Sequence, residues 1–153
     1  MLGVIVFAHG SRDPLWRLPV ESVAQQIALS DGKAAVSCAY LELCAPDIAT
    51  AARELVERGA THVRVLPLFF GMGKHAREDL PVLMAELAAA HPRVTFEKLP
   101  AAGEDPRLTA LLAQIARRAL HAVGEFVQAA LLLARQLADA LLRGGAEAFA
   151  GIG

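Results

Sequence analysis

The chain has 153 residues, 55% hydrophobic, 20% charged and 5% aromatic, which is enough for one buried core and too little for two ordinary domains. Fifteen Lys and Arg against sixteen Asp and Glu leave a net charge of -1, so the basic footprint of a nucleic-acid binder or a polybasic membrane protein is missing. Charges interrupt every apolar stretch before the roughly 20 residues that a bilayer crossing takes, and neither nucleic acid nor membrane is expected as a partner.

Residues 2–8 form a short apolar run rich in β-branched side chains, the pattern of a strand buried on both faces. Comparable runs follow at 34–41, 62–69 and 94–99. Between them the apolar residues take helical spacing: Leu18, Val23 and Ile27 within 14–29, Ile48, Ala51, Ala52 and Leu55 within 46–58, and Leu83, Leu87 and Ala90 within 80–90. Gly59 stands where a left-handed residue would end the second helix, and Asp79-Leu80-Pro81 reads as the start of the third, with proline in its first turn. Alternating strands and helices predict an α/β three-layer sandwich around a four-stranded parallel sheet, in the order 2-1-3-4.

From Asp105 the sequence turns helical, with an interruption expected at Gly124, a second helix over 125–143 and a loose tail over 144–153. The broad Leu/Ala/Val face of that second helix needs cover, from the chain's own sheet or from a second subunit. A helical extension is therefore expected to follow the α/β domain. The N-terminal run lacks a basic start and a small-residue cleavage site. Cys38 and Cys44 form neither a C-x-x-C pair nor a disulfide framework, and the expected location is the cytoplasm.

In open parallel sheets ligands bind beyond the carboxyl ends of the strands, where the strand order reverses. Three ionisable clusters fall there: His9-Gly10-Ser11-Arg12-Asp13-Pro14 after the first strand, Glu42 after the second, and Gly71-Met72-Gly73-Lys74-His75-Ala76-Arg77-Glu78-Asp79 after the third. With the first and third strands adjacent, about 4.8 Å apart, His9 and His75 would share one crevice with Glu42 beside them. Two imidazoles suit Fe, Co, Ni or Zn. Glu42 equally fits a helix cap or a solvated side chain. An arginine directly before His9, as a histidine phosphatase carries, is replaced by Ala8. Gly10-Ser11-Arg12 supplies no nucleophile elbow for a Ser11 hydrolase.

The segments 9–14, Leu41-Glu42, 67–75 and Glu78-Asp79-Leu80-Pro81, with Glu104-Asp105-Pro106-Arg107-Leu108 further on, resemble the short form of the CbiX/SirB group of class II sirohydrochlorin chelatases, over residues 2 to about 118. The resemblance implies insertion of Co2+ or Fe2+ into sirohydrochlorin, in cobalamin or sirohaem synthesis, by a homodimer. Ni2+ is a third candidate metal. It also implies that His9 and His75 are the metal-site histidines. The short form ends near Ala122, which makes residues 1–122 the expected chelatase-like domain and 123–153 a helical extension, whose helix at 125–143 departs from the family. Metal insertion needs an open site with few ligands and an acceptor for pyrrole protons, so His9, His75 and Glu42 are the expected catalytic residues. Arg12, Lys74 and Arg77 are expected to bind the substrate's acetate and propionate groups, and no organic cofactor is expected. The competing reading is a non-catalytic tetrapyrrole or metal carrier that uses the same two histidines.

Overall fold

A computed structural model describes the backbone of residues 1–30 and 32–150, and their side chains except those of His75, 119–122 and 137–150. Four strands, β1 (Leu2–Ala8), β2 (Ala35–Tyr40), β3 (His62–Pro67) and β4 (Thr95–Lys98), form a parallel sheet in the order β2-β1-β3-β4. The predicted order is therefore the observed one. It makes β1 one of the two inner strands, with Phe7 level with Ala39 on one side and Pro67 on the other.

Alternation along each strand divides the core in two. Ile5, Phe7, Ala39, Val63 and Val65 face α2 (Ile48–Glu57) and α3 (Lys74–Ala90), where Leu55, Leu80 and Leu87 complete the larger cluster. Val6, Ala8 and Tyr40 point to the opposite face, against Val20 of α1 (Leu18–Ser30). Each large apolar side chain fully removed from water contributes roughly 1.5–3 kcal/mol. Both faces of β1 are used, which is why its run reads as continuously apolar.

Helix ends follow the local chemistry. Asp13 caps a short 3-10 turn at Pro14–Arg17 that leads into α1, its Oδ1 accepting from the Leu15 N–H at 2.9 Å. Asp47 caps α2, with Oδ1 accepting from the Thr50 N–H at 2.7 Å. Gly59 follows α2 with φ +92°, as its place in the sequence predicts. On the edge pair, Glu97 of β4 accepts from Arg64 at 2.9 Å and lies 3.1 Å from His62, tying β3 to β4 across their register.

Two expectations are corrected. The third helix begins at Lys74, not Leu80, and so takes in His75 and places Pro81 in its interior. Gly73 precedes it with no side-chain cap, so its start carries no capping signal. Pro81 only removes one N–H, leaving the Arg77 carbonyl without its helical donor. The second correction concerns Gly124. Helix α4 runs unbroken from Pro106 to Ala150, so neither the interruption nor a loose segment at 144–150 is found, and residues 151–153 lie outside the described ones. A lone glycine costs about 1 kcal/mol within a helix, which its many Ala, Leu, Glu, Gln and Arg neighbours offset.

The chain divides into two compact units, residues 1–108 and 109–153. Residues 109–150 of the second are helical, and its described side chains Val123, Phe126, Leu131, Leu132 and Leu133 are exposed. No helix among the described residues is long and apolar enough to cross a membrane.

The hydrogen bond from Thr50 holds the Asp47 carboxyl below its ordinary value. A depressed native pKa adds stability above the unfolded value of about 3.9 and loses it as the pH falls through the native one. Asp47→Asn keeps a capping oxygen without the charge. The wild type is expected to exceed the variant by less than about 1 kcal/mol at pH 7, since Asp47 is solvent-screened. That margin narrows as the pH falls below about 3.9 and is lost as it passes through the depressed native value, as checked by urea unfolding across the range.

Candidate metal and tetrapyrrole site

The carboxyl edge of β1 is held from both sides beyond the regular ladder. The Leu41 N–H donates to the Ala8 carbonyl at 2.9 Å, the Glu42 N–H to the His9 carbonyl at 3.0 Å, and the Leu68 N–H to the Phe7 carbonyl at 2.7 Å. These bonds bring His9 and Glu42 together although 33 positions separate them in the sequence. Gly10 makes the approach possible. It has φ +97°, and a Cβ there would run into the Glu42 carbonyl oxygen.

His9 itself is exposed, but its ring is supported. The Phe69 ring lies 4.4 Å away, centroid to centroid, at 45°. Phe69 is buried and meets buried Phe7 edge to face at 5.8 Å. The aromatic core thus continues outward into the imidazole, restricting one face of the ring while its edge stays accessible.

Glu42 enters from a strained turn. The Cys44 N–H donates back to the Glu42 carbonyl at 2.8 Å, with Leu43 between them at φ +67°. A bulky residue in this region costs of order 1–3 kcal/mol and persists only where its surroundings enforce it. Here the Tyr40 N–H closes the same loop by donating to the Pro46 carbonyl at 2.9 Å.

These residues border a cleft of about 470 Å³, lined by His9, Leu41, Glu42, Gly73, Ala76 and Asp79. It lies within the size range of small-molecule sites. His75 is the second residue of α3, between cleft-lining Gly73 and Ala76; its side chain lies outside the described residues. Among the described residues no cluster of three or more His, Cys, Asp or Glu is arranged to hold a metal ion. The expected carboxylate-binding cations stand outside the cleft lining. Arg12 and Arg77 are exposed, and Lys74 lies 3.9 Å from Glu78 on the same helix. Ser11 is a loop brace, its Oγ accepting from the Asp13 N–H at 3.1 Å. Burial, with help from Glu21, pushes the Cys38 thiol up, so it is no ready thiolate.

Asp79 is the residue that the sequence reading left without a role. With α3 starting at Lys74, it falls one turn beyond His75, on the cleft side. The i,i+4 spacing was legible, but only to a reading that began the helix before Pro81.

The CbiX family model matches residues 3–119. The chain belongs to the CbiX family. It is 31% identical over 128 residues to the sirohydrochlorin cobaltochelatase of Sulfolobus acidocaldarius, an alignment covering 84% of this chain and 100% of that one. Other curated relatives are matched over 59% and 64% of their length. Among solved structures, a CbiX protein from Marinobacter aquaeolei VT8 superposes with a TM-score of 0.70 at 31% identity, covering 79% of this chain and 98% of that one. The sirohydrochlorin chelatase SirB from Bacillus subtilis subspecies spizizenii, in complex with cobalt, gives 0.62 at 26% identity, covering 69% of this chain and 45% of that one.

Gly10→Ala is expected to destabilise the protein by at least about 2 kcal/mol, from the left-handed backbone together with the collision against Glu42. A lowered denaturant midpoint with an unchanged slope checks this.

Proposed function

We propose that this CbiX chain inserts Co2+ or Fe2+ into sirohydrochlorin, releasing the two protons of the pyrrole nitrogens that the metal replaces. The observation that carries the reading is the supported, exposed imidazole of His9, with the Glu42 carboxylate on the wall of the same cleft. His9 and His75 hold the arriving ion, and Glu42 accepts a proton as the macrocycle nitrogens take over. Few protein ligands are an advantage in this task, because a closed four-ligand site would retain the metal. Arg12, Lys74 and Arg77, set outside the cleft lining, pair with the substrate's peripheral carboxylates. Ni2+ fits the same donors. The reaction calls for no organic cofactor.

The chain is expected to work in the cytoplasm as a homodimer. The free thiols of Cys38 and Cys44 and the exposed apolar side chains of α4 support these two parts of the reading. Residues 1–122 supply the chelatase-like domain and 123–153 an extension that contributes to association.

The test follows the macrocycle absorbance while protein, sirohydrochlorin and Co2+ or Fe2+ are mixed. Wild type is expected to exceed the uncatalysed rate, and His9→Ala and His75→Ala to lose about 100-fold or more while remaining folded. Stoichiometric metal binding without acceleration would overturn catalysis in favour of a carrier. Light scattering is expected to give twice the monomer mass, falling after truncation at Ala122; an unchanged mass would refute a role for the extension in pairing.

A further inference from the structure

Beside the His9 cleft lies a second cavity of about 290 Å³, bordered by Asp47, Ile48, Val82 and Leu83. Its wall is shared with the cleft through two residues, Leu41 and Asp79. The two acidic side chains of the second cavity are not equivalent. Asp47 is engaged in capping α2. Asp79 is exposed, and among the described residues no hydrogen bond or ion pair holds it. It is thus an uncommitted carboxylate on the partition between an apolar antechamber and the cleft that contains His9 and Glu42.

Charge decides what such a partition can pass. A tetrapyrrole fringed with acetates and propionates is repelled by Asp47, Asp79 and Glu42 lining adjoining spaces, whereas a divalent cation is attracted. The macrocycle and the metal therefore need different approaches. We infer that Asp79 is a metal-delivery ligand: it takes a hydrated divalent cation from the antechamber side and passes it to the His9 imidazole. This rests on the metal-insertion reading. The step is ligand exchange alone. One carboxylate oxygen of Asp79 replaces a water on the ion, and the imidazole nitrogen then replaces that oxygen, with no proton or electron transferred. A lone carboxylate suits a transient holder, since late first-row divalent ions bind a nitrogen donor more firmly than a single oxygen. Asp79 and His9 border the same cleft, so the ion passes between them without leaving it.

The test uses the full chain, with Co2+ alone as the binding probe and Co2+ plus sirohydrochlorin as the assay. Asp79→Asn is expected to raise the KM for Co2+ about tenfold and to weaken Co2+ binding by the tetrapyrrole-free protein to a similar degree. The KM for sirohydrochlorin and kcat at saturating metal should change far less, and Asp79→Glu should restore part of the loss. Glu86→Gln removes an equal charge from an exposed position further along α3 and should do neither. An unchanged metal KM with unchanged Co2+ affinity overturns the inference, as does a fall in kcat alone or an equal effect from Glu86→Gln. Should wild type insert no metal while Asp79→Asn still loses Co2+ affinity, the chelatase reading fails and the ligand role of Asp79 stands.

Discussion

Everything at the site depends on how the carboxyl end of β1 is pinned. A central parallel strand is hydrogen-bonded on both sides, and here the bonding continues past its last residue, through the Ala8 and His9 carbonyls to the loop after β2 and through Phe7 to the end of β3. Loops from three strands are thereby held by backbone bonds, which depend little on side-chain identity. The side chains are left free for chemistry. The charged edge needs no ion pair between His9 and Glu42, because their approach is set by main-chain geometry and by the room that Gly10 leaves.

A division of sign runs through the edge. Carboxylates occupy the recesses, in Glu42, Asp79 and the capping Asp47, while the cations Arg12, Lys74 and Arg77 stand outside the cleft. A cationic metal and an anionic macrocycle have opposite requirements, and a surface of near-zero net charge can serve both only by separating them in space. The His9 imidazole stands on the same cleft wall as Glu42 and Asp79. Its contact with Phe69 ties its orientation to the interior, so a change at Phe7, which meets Phe69 edge to face, would reach the His9 ring without touching it.

Much of this was legible in the sequence because the signals were physical and redundant. Four short apolar runs separated by helical spacing leave few arrangements once crossovers are right-handed, and the rule that ligands gather at the reversal point selects His9 and Glu42 without further information. What was not legible had weak or misleading local signals. Gly73 has no side chain with which to announce a helix start, while Pro81 imitates one, so the local pattern predicts a first turn where the eighth helical residue lies. The same pattern gives the His75 segment the look of a loop and conceals the relation of Asp79 to the cleft. At Gly124 the opposite holds: a helix-weakening residue looks like a stop, although the residues around it carry the helix through. The Phe69 platform was invisible for another reason, since stacking between residues 60 positions apart is a property of the sheet and not of any window of sequence.

The turn at Leu43 carries a trade between durability and function. A residue without a Cβ would occupy φ +67° at no steric cost, and asparagine would do so at a small one, yet leucine is present and half exposed. Glycine would keep the turn and shed its strain, but it would also widen the conformations open to the loop that carries Glu42, so the gain in durability comes with a looser hold on that segment.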